Sequence, residues 1–223
     1  MSHGRNDLGR FSAVAGLSLL LLLVALIAGC GGGGDDSTSA DIGDCTKVDA
    51  PGPIDRTAKP PKADAPTAKG ATFETNCGSF TITFDDRDPK TAASFQSLVE
   101  QGFYDGLTIH RAFKGFLIQG GDPRGDGTGG PGYTIDEKPP PGLSYTKGTV
   151  AMAKTDVEPP GRSGSQFLIA VAADIGLTPD YALVGKVTEG MDVVEAISDL
   201  GPDGGDGPPS IPVVIERATL VEG

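Results

Sequence analysis

The amino-acid sequence predicts a mainly β protein, a closed antiparallel barrel whose ends are covered by two α-helices. Three observations carry that expectation. The chain has 34 glycines and 18 prolines among 223 residues and no tryptophan, a composition that favours tight turns between short strands over long helices. Short apolar or alternating runs recur from about residue 70 to residue 220, broken by glycine. Only two segments carry helix signals, and many short strands with two helices predict a closed sheet capped by those helices.

The compact domain begins near Gly70. Residues 72–75 and 80–84 flank the turn Asn76-Cys77-Gly78-Ser79 and read as a hairpin. In its second strand Phe80, Ile82 and Phe84 point one way, and Thr81 and Thr83 the other. Asp88-Pro89 then opens a helix, with Asp88 as N-cap and Pro89 at the first helical position. Ala92, Phe95, Leu98 and Val99 share its inner face, and Gly102 stops it. Short strands follow at residues 107–111, 116–119, 149–153, 166–171 and 181–187. Residues 191–197 form the second helix, with Val193, Val194 and Ile197 available for burial. Residues 211–220 close the chain as a strand, with Pro212 restricted to its start or to an edge. There is no internal repeat.

Net charge is −12, and no block of lysines or arginines offsets it. Sequence-independent binding to nucleic acid or to anionic lipid head groups is therefore not expected. The first thirty residues stand apart. Arg5 and Arg10 precede an almost unbroken apolar run over residues 11–28, which ends in Ile27-Ala28-Gly29-Cys30. This resembles a bacterial lipoprotein signal, in which a cysteine after small residues receives lipid and becomes the new N-terminus. The resemblance implies a signal peptide at residues 1–29, lipidation of Cys30 and an extracytoplasmic, membrane-tethered protein. The alternative is an uncleaved anchor, since the run is just long enough to span a membrane. Loss of residues 1–29 removes Arg5, Arg10 and Asp7, a net +1, and leaves −13.

Residues 30–69 read as a lipid-anchored, Gly/Pro-rich tether ahead of the domain at residues 70–223. The polar stretch at residues 31–44 reaches about 20 Å as a coil. Residues 50–69, rich in proline, alanine and lysine, read as an extended spacer without a core of its own; the other possibility is a proline-rich ligand for a separate domain. With Cys30 claimed by lipid, Cys45 and Cys77 remain in an oxidising compartment, where an even pair forms a disulfide. Such a bridge contributes roughly 3–4 kcal/mol on the chain-entropy model and pins the leader onto the first strands. The alternative is two free thiols. A metal site is not expected, because His3 leaves with the signal peptide and two cysteines with one histidine are too few ligands.

The most informative stretch is residues 103–122, FYDGLTIHRAFKGFLIQGGD. It places His110, the only internal histidine, beside Arg111, Phe113, Phe116, Leu117 and Gln119. One fixed cation beside an apolar, concave surface suits a neutral, partly apolar substrate better than a phosphate or a metal. Other motifs carry less. Residues 125–130 match a G-x-G-x-x-G, but Pro131-Gly132 follows instead of the helix that such a loop must open. Arg124-Gly125-Asp126 spells an adhesion tripeptide that a glycine-rich turn produces by chance. Ser163 and Ser165 sit in GRSGSQ, which is not a nucleophile elbow, and His110 is the only base available to them.

The stretch at residues 103–122 resembles the central signature of the cyclophilins, the peptidyl-prolyl cis-trans isomerases. The resemblance runs from about Thr72 to Leu220, with GTVAMAK, GSQFLIAV and YALVGKVTEGMDVVEAI following in order. It implies an eight-stranded antiparallel barrel and catalysis of rotation about X-Pro bonds. That rotation has a barrier near 18–20 kcal/mol because the planar amide must lose its resonance. No bond is made or broken, so the resemblance implies no nucleophile, cofactor or metal. A catalyst need only bind the twisted amide better than either planar isomer. In the twist the proline nitrogen regains a lone pair, and an always-charged guanidinium aimed there favours it.

By its place in HRAFKGF, Arg111 is similar to the residue that does this. Gln119 corresponds to the partner that holds Arg111 in one rotamer. Phe116 and Leu117 correspond to the lining of the proline pocket, completed by Leu168 and Leu177. Ala153 and Lys154 match a segment whose backbone pairs with substrate, and Gln166 matches a substrate-contacting amide. Tyr181 stands where many members carry histidine. His110 is expected to be a packed structural residue, and Phe113 a core residue. Leu168 replaces a usual phenylalanine, Lys154 a common asparagine, and Gly176 the tryptophan of cyclosporin-sensitive members, which argues against tight cyclosporin binding. The implied partners are proline-containing polypeptides, with a membrane reached through the lipid anchor and a monomeric chain. The rival reading from another class is a cyclophilin-fold binding module or chaperone without useful catalysis; a structural lipoprotein with an incidental pocket is a third.

Overall fold

The computed structural model describes residues 45–223. The expected signal peptide at residues 1–29, lipidation at Cys30 and the tether at residues 31–44 lie outside the described residues. In chain order the elements are β1 (Gly70–Thr75), β2 (Gly78–Phe84), α1 (Pro89–Glu100), β3 (Thr108–Phe113), β4 (Leu117–Asp122), β5 (Ile135–Asp136), β6 (Thr149–Met152), β7 (Arg162–Ser163), β8 (Phe167–Ala170), β9 (Leu183–Glu189), α2 (Met191–Asp199), β10 (Asp206–Gly207) and β11 (Ile215–Val221).

Nine strands form one antiparallel sheet in the order β10-β3-β4-β8-β6-β9-β2-β1-β11, and β5 pairs with β7 apart from it. The sheet curls until its ends meet. Gly106 N–H donates to Ile215 O at 2.7 Å, Ile215 N–H to Leu107 O at 2.8 Å and Ile109 N–H to Val213 O at 2.9 Å. The first half of β3 thus faces the start of β11, while its second half pairs with the two-residue β10. Eight strands complete the ring, as the resemblance implies, and β10 fills the remaining edge.

Alternation along each strand decides what lies inside. Ala112, Ile118, Ile169 and Val150 oppose one another across β3, β4, β8 and β6, and all four are fully buried. At the centre, Phe73, Phe95, Tyr104 and Phe167 pack with ring centroids 5.1–5.8 Å apart. Burying each such ring contributes roughly 1.5–3 kcal/mol. Aromatic bulk from two strands, one helix and the loop after it fills a barrel that lacks tryptophan.

The α1 terminus differs from expectation. Asp88 occupies the N-cap position, but its side chain caps nothing. Its Oδ2 instead accepts the Leu183 N–H at 2.7 Å, tying the helix start to β9. The orphan N–H groups of Lys90 and Thr91 are taken by the Glu137 carboxylate, at 3.2 and 2.7 Å. A carboxylate from a distant loop therefore does the work of the local one. At the other end Gly102, at φ +61, turns the chain out of α1. Val193, Val194 and Ile197 are buried from α2 as expected.

Residues 45–69 contain no helix or strand before Gly70, yet they lie along the domain as a strap. Ile54 N–H donates to Pro123 O at 2.7 Å and Ala58 N–H to Pro131 O at 2.9 Å. Arg56 Nη1 donates to the carbonyls of Gly102, Phe103 and Asp105 at 3.2, 2.7 and 2.6 Å. Ile54 and Ala58 pack against the main core. Composition makes these residues look solvated; the carbonyls exposed after α1 give one arginine a place to anchor them. Cys45 and Cys77 are brought together as a disulfide at the start of the strap.

Candidate active site

The pairing that buries Ala112, Ile118, Ile169 and Val150 puts their neighbours on the opposite face. Arg111 opposes Gln119, Gln119 opposes Leu168, and Leu168 opposes Ala151. Four strands thus present one row on the outside of the barrel. Beside the row a second apolar cluster forms from Leu117, Tyr145, Ala151, Leu168, Ala170 and Ile175, with Phe113, Phe116, Leu177 and Tyr181 packed at its half-buried margin. The predicted Phe116, Leu117, Leu168, Leu177 and Tyr181 are therefore together. Phe113, expected in the core, is here too. It opposes Leu117 and shares the Arg111 face by strand alternation, and its ring lies 5.0 Å from that of Phe116.

Arg111 is held from two sides. Nη1 donates to Gln119 Oε1 at 2.7 Å. Nε and Nη2 form a bidentate pair with Asp206, at 2.7–3.0 Å. These hydrogen bonds to Asp206 raise the guanidinium pKa above its ordinary value. No motif points to Asp206, which lies 95 residues away in a glycine-rich turn. Its placement follows from β10: Asp206 opposes Phe113, one alternation along the same face from Arg111.

The network continues beyond Gln119. Its Nε2 donates to Gln166 Oε1 at 2.9 Å, and Gln166 Nε2 donates to the carbonyls of Gly127 and Gly129, each at 2.9 Å. Each amide is oriented by its neighbour, so the run from Asp206 to the glycine-rich loop fixes the rotamers at the row. That loop, which spells a dinucleotide motif, opens no helix and supplies carbonyl acceptors to Gln166. The Ser165 hydroxyl is committed to Gly121 O at 2.7 Å.

Lys154 and Tyr181 meet at the far side of the site. The Lys154 ammonium lies 5.2 Å from the Tyr181 ring centroid and donates to the carbonyls of Thr155 and Glu158 at 3.2 and 3.3 Å. Ala153 N–H donates to Gln166 O at 2.8 Å. Tyr145 is a second residue that sequence reasoning missed. Its hydroxyl donates to Tyr181 O at 2.6 Å and accepts the Tyr181 N–H at 3.0 Å, which pins the backbone at Tyr181. Burial pushes the Tyr145 phenol up to about 12. His110 sits at the irregular step between Ile109 and Arg111 and takes no part in the hydrogen-bond network of the row. Both ring nitrogens lack a hydrogen-bond partner among the described residues, and burial lowers its pKa, which favours the neutral imidazole.

A cavity of about 910 Å³ adjoins the row, lined by Gln119, Ala153, Lys154 and Gln166, among others. Arg111, Phe116, Leu117, Leu168, Leu177 and Tyr181 lie outside its lining. The site therefore has two parts, an apolar patch beside the guanidinium and a polar groove, which meet at Gln119 and Gln166. Gly176 stands at φ +61 with open space around it; a tryptophan there would meet backbone strain of roughly 1–2 kcal/mol rather than a clash.

Comparison with known proteins agrees with this geometry. The family described as cyclophilin type peptidyl-prolyl cis-trans isomerase/CLD matches residues 71–220. Peptidyl-prolyl cis-trans isomerase A of Mycobacterium tuberculosis is 40% identical over 169 residues, covering 67% of this chain and 91% of the relative. Peptidyl-prolyl cis-trans isomerase B of Bacillus subtilis is 39% identical over 117 residues, covering 52% and 80%. A crystal structure of a Cryptosporidium parvum cyclophilin type isomerase in the presence of the dipeptide Ala-Pro aligns with TM-score 0.62 at 30% identity, over 69% of this chain and 99% of that one. A barrel closed in the expected way, an arginine fixed beside an apolar patch on its outer face, and a family match over nearly the whole described domain lead to one assignment: the chain belongs to the cyclophilin-type peptidyl-prolyl cis-trans isomerases.

Proposed function

We propose that Arg111 is the residue through which this enzyme favours the twisted prolyl amide. The observation that carries the reading is the anchoring of its guanidinium by Asp206 and Gln119 beside the apolar cluster of Leu117 and Leu168. Of the five guanidinium N–H groups, Asp206 and Gln119 engage three. Two remain to donate to a proline nitrogen whose lone pair the twist restores. Phe116, Leu117, Leu168 and Leu177 receive the ring, while Ala153, Lys154, Gln166 and Tyr181 contact the flanking chain. The substrate class is proline-containing polypeptides, in line with the Ala-Pro dipeptide present with the Cryptosporidium relative.

The setting we propose is the outside of a bacterial membrane, where the enzyme assists folding of secreted or envelope proteins as a monomer. Supporting it are the apolar run ending at Cys30, which resembles a lipoprotein signal, and the pairing of Cys45 with Cys77, a bond that persists in oxidising compartments. Mass spectrometry of membrane-extracted protein would detect a diacyl or triacyl mass on Cys30 and loss of two hydrogens across Cys45 and Cys77. An unmodified N-terminus with two alkylatable thiols would overturn this placement.

The activity is tested by NMR exchange spectroscopy on an Ala-Pro peptide with residues 31–223 and the Arg111→Ala variant. A charge-assisted hydrogen bond made in the transition state is worth about 1.5–3 kcal/mol, so exchange catalysis should fall by about 10–150-fold. Undiminished exchange in a folded Arg111→Ala protein would remove the guanidinium from the mechanism. Shifted peptide resonances without faster exchange in the parent protein would favour the binding-module reading.

A further inference from the structure

The polar groove beside Gln119 and Gln166 is not built by the family domain alone. Its lining includes Ile54, Asp55, Arg56 and Thr57, which precede the matched residues 71–220. Lys154 and Glu158 of the domain line it too. Strap and domain thus border a half-open groove of about 910 Å³, within the range of cavities that hold whole ligands rather than one side chain.

The strap is fixed where it borders this space. Ile54 N–H and Ala58 N–H are bound to Pro123 O and Pro131 O on either side of it. Between those points Arg56 donates to the carbonyls of Gly102, Phe103 and Asp105 beyond the end of α1, where an arginine is favoured by both hydrogen bonding and the helix dipole. Asp55 and Thr57, on either side of Arg56, are exposed. Side chains alternate along an extended segment, so anchoring Arg56 to the domain turns its two neighbours off that contact, and the Thr57 methyl lies beside Gly132 of the groove's lining.

We propose that residues 54–57 form a recognition wall for the residues flanking X-Pro in an extended polypeptide. This rests on the catalytic reading above. A chain that places its proline beside Arg111 and leaves across Gln119 and Gln166 enters the groove within a residue or two. There it meets Ala153 and Lys154 on one side and the strap on the other. The lining offers carboxylates (Asp55, Glu158), cations (Lys154, Arg124) and backbone polar groups of the glycine-rich loop, so the segment it suits is a polar, extended peptide. A dipeptide-sized substrate fills the apolar patch and leaves the strap untouched. The strap thereby adds selectivity for longer clients.

The test compares kcat/KM, from NMR exchange, for a capped Ala-Pro unit and for peptides extended by three polar residues before or after it. It uses residues 31–223, Arg56→Ala, which frees the strap, and Thr57→Trp, which leaves the Arg56 anchor in place and adds bulk to the wall. The quantity read is the ratio of extended to short substrate. In the parent protein it should be about ten for extension on one side, and it should drop to about one or two in both variants. A parent ratio near one on both sides, or a ratio that neither variant lowers, would overturn the proposal. If Arg56→Ala fails to fold, as judged by near-UV circular dichroism, the ratio in Thr57→Trp decides alone. Failure of the underlying reading looks different: Arg111→Ala would then leave the short substrate as fast as before.

Discussion

Removing Asp206 separates two things that its ion pair does. In Asp206→Ala the guanidinium of Arg111 loses the anchors on Nε and Nη2 and keeps only Gln119 on Nη1. The Arg111 and Asp206 side chains are 38% and 41% exposed, so the pair contributes at most about 1 kcal/mol to folding. For a chain of this size that lowers Tm by no more than about 2–4 °C. The catalytic cost has another origin. An arginine side chain carries about 2 kcal/mol of rotamer entropy. In the parent protein much of it is surrendered on folding. If half is instead lost on reaching the transition state, kcat/KM falls about fivefold. Exchange spectroscopy on an Ala-Pro peptide, with thermal unfolding of the same samples, reads both quantities. Asp206→Ala made on top of Arg111→Ala should change kcat/KM by less than twofold, because there is no guanidinium left to position. A kcat/KM that stays level or rises in the single variant would refute the argument. It would mean that the carboxylate attenuates the cation more than it aims it.

Three further outcomes follow from the same contacts. Burial raises the Asp88 carboxyl to about 6 from 3.8, so between those values the folded state holds a proton that the unfolded state has released. Stability should therefore fall as pH rises from about 4 to 6 and level off above. Asp88→Asn, which keeps an acceptor for Leu183 N–H, should flatten that decline by about 1–3 kcal/mol in urea titrations at pH 4.5 and 7; an unchanged slope would assign it elsewhere. Glu137→Ala should lower stability by about 1 kcal/mol, because the N–H groups of Lys90 and Thr91 lose their acceptor, and hydrogen exchange should quicken at those two amides first. Tyr145→Phe frees both hydrogen bonds to the Tyr181 backbone and should cost about 1–2 kcal/mol of stability, with chemical-shift changes centred on residues 180–182.

How much of this was legible in the sequence depended on whether the information was local. The β1–β2 hairpin, the inner faces of both helices and the strand order of motifs could be read, because periods of two and of 3.6 are set by residues a few positions apart. Arg111, Gln119, Leu168 and Ala153 were found because the motifs that carry them are continuous. Asp206 was not, since nothing in GPDGGDG distinguishes a turn carboxylate from one that a two-residue strand delivers to β3. Tyr145 was missed for the same reason. Asp88 misled because its position before Pro89 is that of a good N-cap, while its side chain is drawn to Leu183 N–H on β9. Phe113 misled because apolar character alone does not say which face of a strand is the core when both faces carry apolar clusters.

That last point bears on how the barrel supports catalysis. The inner residues Ala112, Ile118, Ile169 and Val150 and the outer residues Arg111, Gln119, Leu168 and Ala151 are neighbours in sequence and belong to the same four strands. A slip of one residue between strands would bury a guanidinium and expose a core side chain together. The charged group is expensive to bury without its partners, so the core enforces the register that brings Arg111 opposite Gln119. Core packing thereby fixes the spacing of the outer row without touching it. A substitution such as Ile118→Ala should accordingly cost about 2–5 kcal/mol of stability and leave the outer row in place. Where the protein remains folded, Arg111 and Gln119 should stay paired and kcat/KM should stay within about threefold of the parent, because register is held collectively by four strands. A large loss of activity in a fully folded Ile118→Ala protein would show that the row depends on individual core contacts rather than on the ladder as a whole.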